Sequence, residues 1–412
     1  MKNYILGSVT SLILIVVFAF SSKTSNVETV TKAVDVPLIL KEYKTHQFYV
    51  EQAKLWKEAL KMNKKDENAW FNLFKANRYA KMTYNAEHSP EVSWLKNKEW
   101  IKEEDHLMEG NEIIKQIEAN IPRTFMAYYL KFYNSNGEGK DNFHLLEKAY
   151  VINPNFYEIY DEFVIHHEMM GNKEKRKEFN IKWFKSNDFS ENLLNYHYNV
   201  LMTLKKNSVL FSYGDNALLA PLMLQDALNI REDVTLVSIP LMVSKIDYRN
   251  AIFKKLNIKP FNKDYQNDWS DENLKEVISY IIENKQEETP LYFDLTMQES
   301  LKKDFEDKLY LVGLALEYSE DNIDNVAELK NNFNNKYLLD YIQVQFSNDS
   351  YNSSANDANY IHGISCLYDH YKVSGDATKV IEMRELALTI LNKIEVEHMK
   401  EYKAYAIHHF TK

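Results

Sequence analysis

Glycine and proline are scarce in this chain. There are 9 and 8 of them in 412 residues, about 2% each against typical usage of roughly 7% and 5%. Sharp β-turns, bulges and phosphate-cradling loops consume these residues. A many-stranded sandwich, barrel or propeller is therefore disfavoured, and so is a collagenous or disordered chain. With 45% apolar and 27% charged residues, the remaining expectation is a globular, mainly helical protein. At roughly 100–200 residues per domain, the length allows two to four units.

The formal net charge is −10. Nucleic-acid affinity comes largely from phosphate neutralisation by a basic face. The basic runs here, Lys64-Lys65, Lys173 to Lys177 and Lys205-Lys206, are short and interleaved with acids. They read as solvated helix faces, and no nucleic-acid partner is expected. The one cysteine, Cys366, permits no intrachain disulfide and no thiolate zinc site. It lies in an apolar helical stretch and is expected to pack as a small buried residue.

Residues 1–22 form a targeting segment. Lys2 and the α-amino group give a weakly positive start, and Leu12 to Phe20 is an unbroken apolar run suited to a signal peptide. Ala19 and Ser21 supply small residues for cleavage before Ser22. Left uncleaved, Tyr4 to Phe20 is near the lower limit for a membrane anchor. Both readings export the body, either free in the periplasm or anchored at the inner membrane and facing the periplasm. Membrane contact is then confined to this segment. Residues 23–36 are polar and aperiodic and read as a tether.

From 37 to 206 the pattern is helical. Phe48, Gln52, Leu55, Trp56 and Ala59 share one face, and Trp70, Leu73, Phe74 and Asn77 resume the pattern after a polar break. Three stretches fit the 34-residue tetratricopeptide template in part. The first has Ala59, Lys64, Trp70 and Leu73; the second Ala149, Pro154, Tyr160, Phe163 and Gly171; the third Leu367, Tyr371, Gly375 and Ala387. The glycine at position 8 of the template is missing from all three. Generic antiparallel helix pairs are the competing explanation.

Residues 207–320 change character. Apolar strand-like runs at Ser208–Tyr213, Val234–Ile239 and Pro290–Leu295 alternate with helical stretches at Leu219–Leu228, Asp247–Leu256 and Asp271–Asn284. Lys308–Leu316 is placed to close the sheet. This spacing predicts βαβ crossovers and a small three-layer α/β domain with a parallel sheet. Residues 321–412 return to helices of the tetratricopeptide kind, about Tyr360 to Tyr371 and Ala377 to Ile394, after a polar loop at 347–359. The fold expected overall is mainly α, a helical-hairpin solenoid with a small α/β domain inserted.

One stretch carries a resemblance. Asn199-Val200-Leu201, Asn207, Val209 to Asn216, Leu224-Gln225, Ile230 to Val234 and Ile239 are similar to the soluble C-terminal region of large bacterial membrane proteins described as protein O-mannosyltransferase-like, a domain of unknown function. In that family a strand ends in Gly-Asp-Asn-Asp-Thr-aromatic-Pro-Leu, a helix with Leu-Gln follows, and Gly-Ile-Arg-x-Asp-Val opens the next strand. The likeness runs from about 140 to 412. This chain departs from it at Ala217-Leu218, where the family has Asp-Thr, and Pro221 stands one place later. The membrane spans presumed to carry the transferase chemistry are missing from it. The resemblance therefore implies a free-standing soluble part without the catalytic part.

The best-placed binding candidate is Gly214-Asp215-Asn216, at the end of the first strand, where open α/β sheets take ligands. Glycine permits the turn, and a carboxylate and an amide suit hydroxyls or a cation. Gln225, from the Leu-Gln element, completes the candidate set. The structural alternative is that Asp215 and Asn216 bond local amides at a helix start. No catalytic residue, metal site or cofactor is expected. His167-Glu168 opens like a zinc-protease helix, but Gly171 stands where the second histidine belongs. His166-His167 and His408-His409 point in different directions on a helix and read as packing or surface residues. Phe125, Tyr128, Tyr129, Phe132 and Tyr133 have helical spacing and read as core, while Tyr-rich grooves between helix pairs make good peptide surfaces. The leading expectation is a non-enzymatic scaffold or binding module of the cell envelope with protein or peptide partners. The alternative is a carbohydrate-binding or glycosyltransferase-accessory domain that uses the Gly214 loop.

Overall fold

The computed structural model describes residues 32–39, 42, 44–88, 107–135, 142–344, 355–394 and 399–411. The targeting segment, most of the tether and most of the 347–359 loop lie outside them. The described residues fall into two compact units, one ending at Ile159 and the other beginning at Tyr160.

The N-terminal unit is helical: α1 (His46–Met62), α2 (Glu67–His88), α3 (Gly110–Asn120), α4 (Phe125–Ser135) and α5 (Phe143–Ile152). Thr45 caps α1 by accepting from the Phe48 amide, and Asp66 does the same for Ala69 ahead of α2. Between them the buried Trp70 donates its indole N–H to Lys64 O at 2.9 Å, which pins the turn. Tyr49, Val50 and Ala53 of α1 pack with Ala76, Tyr79 and Ala80 of α2. The last tether residues lie along this pair: Val36 N donates to Asn72 Oδ1 at 2.8 Å, and Trp56 donates to Val34 O at 2.9 Å. The α4 aromatics behave as core. The Phe125 and Tyr129 rings close on Phe156 at 4.7 and 5.7 Å.

The C-terminal unit opens with α6 (Tyr160–Met169), α7 (Lys173–Lys185) and α8 (Glu191–Thr203). Gly171, at φ +65°, makes the tight turn between α6 and α7. Next come β1 (Val209–Ser212), α9 (Asp215–Leu228), β2 (Thr235–Ser238), α10 (Ile239–Ser244), α11 (Ile246–Lys255) and α12 (Asp271–Asn284). They are followed by β3 (Leu291–Asp294), α13 (Glu299–Lys302), β4 (Leu309–Leu311) and β5 (Ala315–Tyr318). The short α14 (Asn325–Asn331) and α15 (Asp340–Gln343) precede the closing helices α16 (Tyr360–Ser374), α17 (Ala377–Lys393) and α18 (Lys400–Thr411).

The strands form one five-stranded sheet in the order β2-β1-β3-β5-β4. β2, β1 and β3 are parallel, as expected of strands joined by helical crossovers. The expectation of a wholly parallel sheet is corrected, because β5 runs antiparallel to both β3 and β4. The physical reason is Gly313. The apolar run 308–316 is not one strand. It breaks at Gly313, at φ +152°, into a tight hairpin whose turn is held by Leu314 N donating to Tyr337 Oη at 3.0 Å. A Cβ on Gly313 would stand 2.0 Å from that hydroxyl, so only glycine fits.

Val209, Phe211, Val237, Leu291 and Phe293 face a core completed by Met242, Phe253, Val277, Ile278 and Ile281. The alternate residues Leu210, Leu236 and Tyr292 are buried on the opposite side. Helix α9 begins at Asp215, four residues before the predicted Leu219, which moves Pro221 from the helix's first turn into its interior. Cys366 also departs from expectation. On α16 the buried positions are Tyr360, Ile361, Gly363, Ile364, Leu367, Tyr368 and Tyr371, and Cys366 is exposed.

Candidate functional site

In the order β2-β1-β3 the chain leaves β1 toward one side and returns to the other. The carboxyl ends of β1 and β3 therefore flank the switch point at which open α/β sheets hold ligands. Gly214 sits there as the N-cap of α9, at φ +112°. A side chain at Gly214 would meet nothing within 4 Å, so its backbone angle is what calls for glycine. Asp215 is exposed and Asn216 half-buried. Neither side chain hydrogen-bonds another described residue, so the capping role offered by the structural alternative is not filled by these two.

The neighbourhood of Asp215 is acidic. Asp161 of α6 is close enough that burial, together with the carboxylates of Glu162, Asp215 and Asp188, pushes its carboxyl well above the ordinary range. Among the described residues, no group of three or more His, Cys, Asp or Glu side chains is placed to hold a metal ion.

On the other side of the switch point stands Asp294, the last residue of β3, which sequence reasoning placed in a strand without singling it out. It is fully buried. Its Oδ1 accepts from Thr296 N at 2.7 Å and from the Thr296 hydroxyl, while Oδ2 has no partner among the described residues. Burial raises its pKa. An aspartate ending an apolar strand, two residues before a threonine, was the available signal.

Gln225 does not join this edge. It lies ten residues along α9 from Asp215, about 15 Å at 1.5 Å per residue. Its buried amide donates to Arg231 O at 2.8 Å and to Val234 O at 2.9 Å. The sequence candidates thus divide between the two ends of one helix.

Arg231, Asp233 and Asn199 are likewise occupied in holding the fold. Arg231, at φ +52°, donates to the carbonyls of Leu201, Leu204 and Lys205 at 2.6, 2.8 and 2.8 Å. These carbonyls lie at and just past the end of α8, where Leu201 O also accepts from Leu204 N. The same guanidinium grips Asp233 through both carboxylate oxygens, which holds that carboxyl down at about 2. Asp233 in turn accepts from Asn207 N at 3.0 Å. Asn199 joins α8 to Leu338 through both its amide atoms and to the Tyr360 hydroxyl.

The N-terminal unit carries a second candidate that no motif marked. A cleft of about 140 Å³ opens between α2, α3 and α4, lined by Phe74, Asn77, Arg78, Lys81, Gly110 and Asn134 among others. The Arg78 guanidinium lies 4.6 Å from the Tyr133 ring centre. Lys81 Nζ stands 3.9 Å from Glu109. Asn77 Oδ1 accepts from Met108 N at 2.7 Å, fixing the chain that leads into α3. Gly110 starts α3 against α4, where a Cβ would be 2.0 Å from Asn134 Oδ1. Two cations meet beside an aromatic wall, with Glu109 on the same lining, and the N-terminus of α3 is closed by the Glu109–Glu112 capping box.

No protein-family model matches the chain, and no curated protein matches it significantly.

Proposed function

We propose that this protein is an exported, non-enzymatic scaffold or binding module of the bacterial cell envelope, periplasmic or held at the inner membrane by its N-terminal segment. Its helix-pair surfaces take protein or peptide partners. The observation that carries this reading is the α2–α3–α4 cleft, with Arg78 and Lys81 beside Phe74. It offers charge and aromatic surface together, the combination that peptide contacts use. Pairs α1/α2, α6/α7 and α16/α17, with Gly171 and Gly375 in left-handed turns, support helices stacked in the manner of tetratricopeptide repeats. Export rests on the apolar run Leu12–Phe20. A second reading, carbohydrate binding at the β1/β3 edge, draws support from the uncapped Asp215 and Asn216 side chains and from the bare Asp294 Oδ2.

The test is fluorescence anisotropy with ten-residue acidic, neutral and basic peptides sharing one aromatic residue. The acidic peptide is expected to bind, although the protein's net charge of −10 opposes it. Arg78→Gln together with Lys81→Gln should weaken binding at least about tenfold, or 1.4 kcal/mol, with a cooperative thermal melt retained. Equal binding of the neutral peptide, or an indifferent double variant, refutes the reading.

A further inference from the structure

A hollow of about 380 Å³ lies on the α/β unit, lined by Phe261, Glu276, Ser279, Tyr280 and Glu283. That volume is within the range of small-ligand and side-chain pockets. Four of these residues belong to α12, and Phe261 comes from the loop between α11 and α12. The Phe261 and Tyr280 rings meet edge to face, 4.7 Å apart, and form the apolar wall. Phe261 is held from behind by Arg249. This fully buried guanidinium lies 4.9 Å from the Phe261 ring centre and donates to Met242 O at 3.0 Å and to Lys263 O. Tyr280 is fixed by its hydroxyl, which donates to Lys259 O at 2.7 Å.

The rim is acidic. Glu276 pairs with Lys263, whereas Glu283 is exposed and makes no ion pair with another described residue. The two carboxylates are seven residues apart on one helix, about 10.5 Å at 1.5 Å per residue. An extended polyproline-type chain repeats its face every three residues, about 9.3 Å. Aromatic rings bounded by carboxylates are matched to cationic side chains, whose aliphatic stems cover the rings while the charged heads reach the acids.

We propose that this hollow binds an extended basic peptide segment carrying two lysine or arginine side chains three residues apart. The site differs from the acidic-peptide cleft in location and in charge, so the fate of either leaves the other standing. The probe is a fluorescein-labelled peptide containing Lys-Pro-Pro-Lys, compared with one containing Glu-Pro-Pro-Glu and one with the two lysines adjacent, titrated with the full chain. The Lys-Pro-Pro-Lys peptide is expected to bind tightest. Glu276→Gln with Glu283→Gln, and Glu283→Gln alone, should weaken it by at least tenfold and about threefold respectively. Glu287→Gln with Glu288→Gln removes the same charge from exposed positions just past α12 and should change binding less than twofold. If both double variants weaken binding equally, the attraction is the general pull of an acidic chain and the proposal fails. It fails as well if the peptide does not bind, or if lysine spacing makes no difference. A melt with each variant separates lost binding from lost fold.

Discussion

Replacing Asp226 by alanine is expected to cost about 3 kcal/mol of stability, the low end of the penalty for removing one partner of a buried ion pair, because Glu168 still holds Arg176. Asp226 is 1% exposed and takes Arg176 bidentately, Nε to Oδ2 and a terminal guanidinium nitrogen to Oδ1, both at 2.8 Å. The buried Asn180 donates to the same carboxylate at 2.7 Å, and Glu168 holds the other terminal nitrogen of Arg176. This network ties α6 and α7 to α9, and so to the sheet. Burial works against the Arg176 charge, but Asp226 and Glu168 outweigh it and hold the guanidinium protonated. Urea denaturation of Asp226→Ala should therefore show a much lower midpoint than the parent. Asp226→Asn, which keeps the shape and loses the charge, should fall between them. A loss below about 1 kcal/mol, the range of exposed pairs, would contradict the assignment.

The second large effect is in acid. His197 of α8 is buried, and its Nδ1 has no partner among the described residues. Burial alone depresses its pKa to about 3. In the unfolded chain the imidazole takes a proton near pH 6.5, whereas the native state refuses it until about pH 3. Between those values the unfolded state binds more protons, so stability falls as pH falls, by 1.36 kcal/mol per pH unit at most. At pH 5 the loss from this one residue is about 2 kcal/mol. His197→Leu removes the proton site and the bare nitrogen together. The variant should be close to the parent at pH 7.5 and gain on it steadily from pH 6.5 down to 4. Parallel stability curves would show that His197 titrates normally.

Much of the fold was legible because local patterning and tertiary burial agree. Asp271–Asn284 is helical at the bounds its apolar period indicates, and Val209–Ser212 is a strand inside the run read as one. The hairpin at 309–318 was not legible, because β4, turn and β5 share one apolar run. Only Gly313 and its fit against Tyr337, 24 residues later, mark the turn. The Gly214-Asp215-Asn216 turn was legible because it follows directly on the apolar run of β1. Gln225 was misleading, since a glutamine that locks two carbonyls has the same sequence signature as one that binds a ligand. Arg231 and Asn199 show the same ambiguity on a larger scale. A specific-looking polar pattern served the joint between helix and sheet. The cleft at Arg78 left no local signal at all, because Asn134 reaches it from 56 residues away in sequence.

The central claim is that partners meet the helical surfaces, whereas in the α/β unit Gln225, Arg231 and Asp233 hold the fold and the Gly214 loop takes no partner. It is tested most directly by placing a photo-crosslinking amino acid at Lys81 or at Asn216 and irradiating cells at native expression. The account predicts a discrete protein adduct from position 81 and none from position 216. A small-molecule or glycan adduct at 216, with position 81 silent, would contradict it.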